Sequence, residues 1–158
     1  MVKPIPDGYH SVTPYLIVDG AADAIDFYKQ AFGATEKFRM PMGDRIGHAE
    51  LVIGDSHVML ADELPDMGHL SPKSRGGTAV SLLVYLPDVD SAFRKAIDAG
   101  GTQKRPVENQ FYGDRAGTLE DPFGHQWTLA THVEDVPPEQ FEERMKDWGA
   151  KQKQAEPA

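Results

Sequence analysis

Apolar residues along this chain change their spacing in a regular order. An alternating run ends at Val18, and apolar residues then recur at helical spacing from Ala21 to Phe32, just before Gly33. Alternation indicates a half-buried strand, helical spacing indicates an amphipathic helix, and glycine suits the left-handed end of a helix. Three short strand-like runs, separated by turn residues, follow before residue 62. This half of the chain is therefore predicted to fold as βαβββ.

The second half of the chain repeats this order. A shift of 68 residues lays Leu16 on Val84 and Gly33 on Gly101. Self-similarity at a fixed separation indicates an internal duplication. We therefore expect two βαβββ modules of the same design.

These patterns predict a single domain over residues 1–149, followed by a short tail. After the second module, Phe141, Met145 and Trp148 form an apolar stripe that indicates a helix docked on the outside of the domain. The last residues have nothing apolar enough to hold them and are expected to be flexible. The predicted boundaries are module one at about 10–62, a linker at 63–78, module two at about 79–132, the C-terminal helix at 137–149 and the tail at 150–158.

Composition narrows the class of protein. The chain is 40% hydrophobic and 26% charged, which is typical of a globular protein, and it contains no cysteine. A metal would therefore have to bind His, Asp or Glu. The net charge of −9 disfavours nucleic acid and membrane partners, because both require a basic surface. No apolar run approaches the ~20 residues of a membrane span and no secretory signal opens the chain, so we expect a cytoplasmic protein.

Several stretches of the sequence resemble one known superfamily. The duplicated βαβββ unit, with "AIDFYKQAFGA" in its first helix and "EDPFGHQWTLA" before its last strand, resembles the vicinal oxygen chelate superfamily of glyoxalase I, extradiol dioxygenases, and fosfomycin- and bleomycin-resistance proteins. The stretches "PYLIVDGAADAIDFY", "HAELVIGDSHVMLADE" and "YGDRAGTLEDPFGHQW" are most similar to its PhnB-like subgroup. The resemblance covers about residues 10–132.

The resemblance implies an α+β fold in which both modules form an open mixed β-barrel, or cup. In this superfamily the helices cover the convex side of the cup and the ligand binds on the concave side. Relatives commonly complete their cups across a two-fold interface, so the resemblance also implies a homodimer. The partner it implies is a small molecule.

Metal-dependent members of the superfamily take four ligands, usually His and Glu, from the first and last strands of each module. The resemblance and the repeat place those positions here at Thr13, Ser81, Met59 and Thr128. None of these residues is a good ligand for a divalent metal ion. We therefore expect neither the metal of the family nor another cofactor.

The stretch "GHAELVIGDSHVML", residues 47–60, carries the densest polar chemistry. Gly54 suits the first central position of a two-residue hairpin turn, which would pair Glu50 with Met59 and Val52 with His57. Side chains alternate between the two faces of a strand. His48, Glu50, His57 and Met59 are therefore predicted to share the concave face, while the residues between them are apolar.

Three roles are open for this polar face. His48, Glu50 and His57 can line the cup and contact ligand or water, or they can converge on one metal ion. Alternatively, Glu50 can act as a general base that His48 or His57 holds or protonates, which makes it the candidate catalytic residue. A carboxylate in the cup loses solvation, so its pKa should rise unless several donors compensate. Whether the protein is an enzyme stays open at this point.

Strand alternation and the family positions extend the candidate site. Arg115 resembles an arginine of the subgroup that can hold an anionic group, although a salt bridge to Asp114 or Glu120 would explain it equally well. The candidate ligand-binding residues are Thr13, Tyr15, His48, Glu50, His57, Met59, Ser81, Tyr85, Arg115 and Thr128.

Three classes of function are consistent with this sequence. The favoured hypothesis is a small-molecule-binding protein without a metal. The main alternative is a metal-dependent lyase, isomerase or dioxygenase that uses His48 and Glu50. The third is an interaction module whose cup is filled by Leu83, Met59 and Tyr85.

Overall fold

Two βαβββ modules follow one another along the chain in a computed structural model that describes residues 2–155. Module one contains β1 (Tyr15–Val18), α1 (Ala21–Phe32), β2 (Thr35–Met42), β3 (Arg45–Ile53) and β4 (Ser56–Asp62). A linker with a 3₁₀ turn (Pro65–Met67) and the short helix α2 (Pro72–Arg75) follows. Module two contains β5 (Ser81–Tyr85), α3 (Val89–Asp98), β6 (Thr102–Asn109), β7 (Asp114–Glu120) and β8 (Gln126–His132).

Each module forms its own four-stranded mixed sheet. The strand order is β1-β4-β3-β2 in module one and β5-β8-β7-β6 in module two. In both sheets the first strand lies parallel to the last, and the other pairs are antiparallel. Within residues 2–155 no strand pair joins the two sheets, so the chain does not close a barrel. The predicted α+β fold of two βαβββ modules is confirmed.

The register of the two sheets follows the sequence repeat. Tyr15 pairs with Met59 in module one, and Leu83 pairs with Thr128 in module two. Tyr15 and Leu83 are equivalent under the shift of 68 residues, so Met59 and Thr128 are equivalent as well. Met59 and Thr128 therefore occupy equivalent register positions in the last strands of the two modules.

The last strand of each module fixes the start of its helix. The N-terminus of α1 has no side-chain cap of its own, and Asp62 at the end of β4 accepts from the backbone N–H groups of Gly20 (2.9 Å) and Ala21 (2.8 Å). In module two the hydroxyl of Thr131 accepts from the N–H of Val89 (2.9 Å). At the start of α1, the carboxylate of Asp62 also complements the positive end of the helix dipole. Each helix is thereby held against its own sheet.

The two modules share one hydrophobic core. Helices α1 and α3 contact each other, and each packs on the apolar face of its own sheet. The ring of Phe32 lies 4.7 Å from that of Trp127 between centroids, which joins α1 to β8. Because the helices cover one face of each sheet, the opposite face carries exposed residues such as Tyr15 and Tyr85. We call these two uncovered surfaces the open face of module one and the open face of module two.

A buried carboxylate lies at the contact between the modules. Asp121 is only 3% exposed and accepts four hydrogen bonds. The donors are the Tyr28 hydroxyl (2.6 Å), the Trp127 indole N–H (2.9 Å), and the backbone N–H groups of Phe123 and His125 (2.9 Å each). The "DPFG" segment, residues 121–124, forms a turn that the Gly124 N–H closes by donating to the carbonyl oxygen of Asp121. Its aspartate also binds α1 of module one.

The C-terminal helix differs from the prediction in length and in packing. Helix α4 runs from Phe141 to Ala155, so the boundary predicted at residue 149 is wrong, and residues 156–158 lie outside the described residues. Residues 150–155 are Ala, Lys and Gln, which all favour helix. No α4 residue is buried, and Trp148 contacts Phe111 with ring centroids 5.9 Å apart. Within residues 2–155 no helix is long and apolar enough to span a membrane.

Replacing Tyr28 with Phe should destabilise the protein. Phenylalanine fits the same buried space but removes the donor that lies 2.6 Å from Asp121. A lost hydrogen bond to a buried charged group costs ~1–3 kcal/mol of unfolding free energy. Urea unfolding measures this loss, with Tyr112→Phe at an exposed phenol as the matched control, which should change stability by less than ~0.5 kcal/mol. Equal stability of the two variants would contradict a structural role for the Tyr28–Asp121 bond.

Candidate functional site

The β3–β4 hairpin has the predicted pairing. Gly54 adopts a φ of 59° in the turn, Glu50 pairs with Met59, and Val52 pairs with His57. The apolar residues of the hairpin that point into the core are Ala49, Leu51, Ile53, Val58 and Leu60. The alternating side chains, including Glu50 and Met59, therefore lie on the open face of module one.

Glu50 is the centre of a hydrogen-bonded chain on this face. Its side chain is buried, although it lies on the face away from the core. The Tyr9 hydroxyl donates to Oε2, and Nε2 of His48 lies 3.3 Å from Oε1. The Tyr15 hydroxyl lies 2.8 Å from Nδ1 of the same His48. Because a carboxylate only accepts, Nε2 of His48 carries the proton in its contact with Glu50.

His57 lies beneath the ring of Tyr9. The Tyr9 ring stacks on the imidazole with centroids 3.8 Å apart and an interplanar angle of 16°. The Lys37 ammonium lies 3.1 Å from Nε2 of His57 and 5.0 Å from the centroid of the Tyr9 ring. An ammonium only donates, so Nε2 accepts and Nδ1 carries the proton. Nδ1 is buried and has no hydrogen-bond partner within the described part of the chain.

The hydrogen bonds to Glu50 outweigh its loss of solvation. Burial by itself raises the pKa of the Glu50 carboxyl, but the hydrogen bonds from Tyr9 and His48, with the charges of His48 and Lys37, leave that pKa below its ordinary value. The same hydrogen bond raises the pKa of the Tyr9 phenol. The expected rise in the pKa of Glu50 therefore does not occur. Sequence reasoning missed the compensating donor because no spacing pattern connects residue 9 with residue 50.

A cavity of about 390 Å³ opens beside Glu50. The N-terminal residues between Pro4 and Ser11 form one wall, and Thr13, Glu50 and Met59 form the other. Buried polar groups that converge on a cavity of this size are typical of small-molecule sites. The chemistry it offers is a carboxylate acceptor beside an apolar thioether.

The open face of module two carries a second cavity, of about 460 Å³. Its floor includes Thr118 and Thr128, whose hydroxyl oxygens lie 3.0 Å apart, and Trp148 of α4 forms part of its wall. Helix α4 therefore lies over the open face, not against the outside of the domain as predicted. Thr118 pairs with Thr128 as Glu50 pairs with Met59, so the repeat places a hydroxyl where module one has its carboxylate.

The other predicted site residues of module two lie apart from the Glu50 group. Ser81 is exposed at the start of β5, and the Tyr85 hydroxyl donates to Asp114 over 2.8 Å. Arg115 binds both oxygens of Asp90, at 2.7 and 2.8 Å. Asp90 therefore takes the place of Asp114 or Glu120, the partners that the sequence suggested. The structure brings together the candidates of module one on one sheet, and those of module two lie on the other.

The positions that the resemblance implies for the family metal are occupied by hydroxyl and thioether side chains. Thr13 and Met59 lie beside the first cavity and Thr128 beside the second, and none of them carries an imidazole or a carboxylate. Within residues 2–155 no group of three or more His, Cys, Asp or Glu side chains is arranged to hold a metal ion. On the hairpin, His48 and Glu50 bind each other, and Nε2 of His57 faces the Lys37 ammonium.

The fold and the open-face cavities define a class of two-module α+β proteins. The model of the Glyoxalase/Bleomycin resistance protein/Dioxygenase superfamily matches residues 8–129. The chain belongs to this superfamily, as the sequence motifs indicate.

Several relatives share most of the chain. The uncharacterized protein Rv0887c of Mycobacterium tuberculosis is 41% identical over 143 residues, which cover 88% of this chain and 84% of the relative. The uncharacterized protein At5g48480 of Arabidopsis thaliana is 31% identical over 116 residues, which cover 68% of this chain and 69% of the relative. Its X-ray structure has a TM-score of 0.63, with 29% identity over 77% of this chain and 98% of that one.

A PhnB protein from Bacillus cereus shares the fold. Its structure has a TM-score of 0.60 and 20% identity, and the match covers 77% of this chain and 99% of that one. At this identity the comparison supports the two-module architecture alone.

Replacing Glu50 with Gln should change how stability depends on pH. The folded-state pKa of Glu50 is lowered, so its ionised form stabilises the fold above the unfolded pKa of ~4.3, and this contribution is lost as the pH falls through the folded pKa. Wild type should exceed Glu50→Gln by ~1–3 kcal/mol of unfolding free energy near neutral pH, and this difference should shrink in acid. Urea unfolding across this pH range measures both quantities.

The exposed Glu142, which pairs with Lys146, offers a control at the surface. Glu142→Gln should change stability by less than ~0.5 kcal/mol at every pH. A wild-type advantage over Glu50→Gln that grows as the pH falls would contradict the lowered pKa of Glu50.

Proposed function

We propose that this protein binds a small molecule in the Glu50 cavity without a metal ion. The observation that carries the proposal is a carboxylate only 6% exposed that lines a cavity of about 390 Å³ on the open face of a sheet. Glutamate is rarely buried unless it is paired, because desolvating its charge is costly. A buried acceptor that reaches a cavity is suited to a ligand that donates hydrogen bonds.

The chemistry of the cavity favours a neutral or cationic ligand. The lowered pKa of Glu50 keeps the carboxylate ionised at neutral pH, where it repels anions and accepts from hydroxyl or amine donors. The net charge of −9 also disfavours anionic ligands. We therefore propose neither nucleic acid nor anionic membranes as partners. We propose the cytoplasm as the location of the protein.

The same electrostatics favour binding over catalysis. A general base works best when its pKa lies near the working pH, and that of Glu50 is shifted the other way. His48, the second residue of the metal-dependent alternative, is engaged by Glu50 and Tyr15. A cup filled by its own side chains is not favoured either, because Leu83 and Tyr85 are exposed.

We also propose that two copies complete the cup. The edge strand β2 presents Phe38, Met40 and Met42 to solvent, and the Phe38 ring lies 5.7 Å from that of His48 on the open face. Leu83 of module two is exposed as well. Contiguous exposed apolar surface marks an interaction site. The open face of module one in one protomer would thereby lie opposite the open face of module two in its partner.

Fragment binding to wild type and to Glu50→Gln tests the proposed function. Protein purified without added metal is expected to contain well under one equivalent of Zn, Ni, Mn or Fe by elemental analysis. Hydroxyl- or amine-bearing fragments that bind by ligand-observed NMR should lose affinity about fivefold or more in Glu50→Gln, because a charged acceptor is replaced. The matched control is Glu108→Gln, which alters the cavity of module two and should leave these affinities unchanged.

Two results would contradict the proposed function. Stoichiometric metal that disappears in Glu50→Gln would support the metal-dependent alternative. Fragments that bind equally well to wild type and to Glu50→Gln would show that the carboxylate is not part of a binding site.

Sedimentation of two methionine variants tests the dimer. Met40 is 57% exposed on β2 and Met67 is 70% exposed in the linker, so Glu is tolerated by the fold at both positions. Wild type should sediment as a dimer at micromolar concentration. Met40→Glu should weaken the dimer about tenfold or more, because a charge would be buried in the apolar interface, whereas Met67→Glu should not. A monomeric wild type, or equal effects of the two variants, would contradict the shared cup.

A further inference from the structure

The N-terminal residues 4–11, which we call the N-terminal strap, lie across the polar group of module one. Within residues 2–11 no residue is buried, and only Tyr9 is half-buried. The segment forms no helix or strand. Among the described residues, its hydrogen bonds and ring contacts with the module include those of Tyr9 and a bond of 3.1 Å between Nε2 of His10 and the carbonyl oxygen of Asp55. Release of the strap would therefore uncover the site without breaking the hydrophobic core.

The Tyr9 side chain occupies the site as a bound aromatic molecule would. Its hydroxyl donates to Glu50, its ring stacks on His57 at 3.8 Å, and the Lys37 ammonium lies 5.0 Å from the ring centroid. These contacts satisfy a carboxylate, an imidazole face and a cation with a single phenol. We propose that the three residues form a subsite for a hydroxylated aromatic ring, and that Tyr9 is an internal occupant which the ligand displaces. This inference rests on the proposed function of the Glu50 cavity.

The chemistry of the subsite defines the class of ligand. A ring without a hydroxyl would stack on His57 but leave Oε2 of Glu50 without the donor that Tyr9 supplies, and a buried acceptor that loses its donor is costly. A donor without a ring would leave the imidazole face uncovered. A planar phenol satisfies both groups, and its ring also attracts the Lys37 ammonium.

When the strap is bound, one buried polar atom of the site has no hydrogen-bond partner among the described residues, and this favours the exchange of Tyr9 for a ligand. Nδ1 of His57 is buried under the strap and has no hydrogen-bond partner within residues 2–155. Because the Tyr9 ring covers this imidazole, release of the strap allows water or ligand to reach the atom. The free-energy difference between the closed and open strap is correspondingly smaller.

Binding of p-cresol, which is the tyrosine side chain as a free molecule, tests the inference. Isothermal titration of Tyr9→Ala should give an affinity about tenfold or more above that of wild type, because the competing internal ring is gone. Toluene, which lacks the hydroxyl, should bind Tyr9→Ala at least about fivefold more weakly than p-cresol does. The His57 ring-proton NMR signals should shift with p-cresol.

Further variants keep the result interpretable. Tyr9→Phe retains the stacking ring but loses the hydroxyl that donates to Glu50, so it should bind p-cresol more tightly than wild type and more weakly than Tyr9→Ala. Phe141→Ala, which removes an exposed aromatic ring from α4, is the matched control and should leave p-cresol affinity at the wild-type value. Urea unfolding should show that Tyr9→Ala is folded, since Tyr9 lies outside the core.

Failure of this inference can be told apart from failure of the proposed function. Equal affinity of p-cresol for wild type and Tyr9→Ala, or no binding to Tyr9→Ala, overturns the subsite even when other fragments depend on Glu50. Equal affinity of toluene and p-cresol for Tyr9→Ala also overturns it. If adding Glu50→Gln to Tyr9→Ala leaves p-cresol affinity unchanged, both the subsite and the Glu50 site are contradicted.

Discussion

The two modules depend on one buried carboxylate for their relative position. Asp121 accepts from the Tyr28 hydroxyl of α1 and from the Trp127 indole of β8, so a side chain of each module binds the same group. A charge buried this deeply is tolerated only when its hydrogen bonds are satisfied. The four donors at Asp121 meet this requirement and hold α1 against module two. Both helices therefore pack on the core side of the sheets, and the two open faces are left to the N-terminal strap and to α4.

The duplication supplied two open faces, and substitution made them different. Glu50 and Met59 of module one stand at the register positions of Thr118 and Thr128 in module two. A hydroxyl pair satisfies itself at 3.0 Å, whereas a carboxylate requires donors from elsewhere. Module one therefore depends on added contacts that module two does not need. The chain termini differ accordingly, because the N-terminal strap covers module one and α4 covers module two.

The donors around Glu50 decide what its face can do. Burial alone would raise the pKa of the carboxyl, but the hydrogen bonds from Tyr9 and His48 outweigh that effect. Tyr9 comes from a segment that forms no helix or strand, so the electrostatics of the site depend on a part of the chain that lies outside the hydrophobic core. A site of this kind changes its charge environment whenever the strap moves. Ligand binding and strap release are thereby physically linked.

Local patterns in the sequence determined the modules, the hairpin register and the face on which Glu50 lies, because spacing and turn residues such as Gly54 act on neighbouring residues. Only the tertiary structure decided which groups meet Glu50 and Asp121. Tyr9 lies 41 residues from Glu50, and Tyr28 lies 93 residues from Asp121. Periodicity is a property of a short stretch of chain, whereas the partner of a buried charge depends on how distant segments pack.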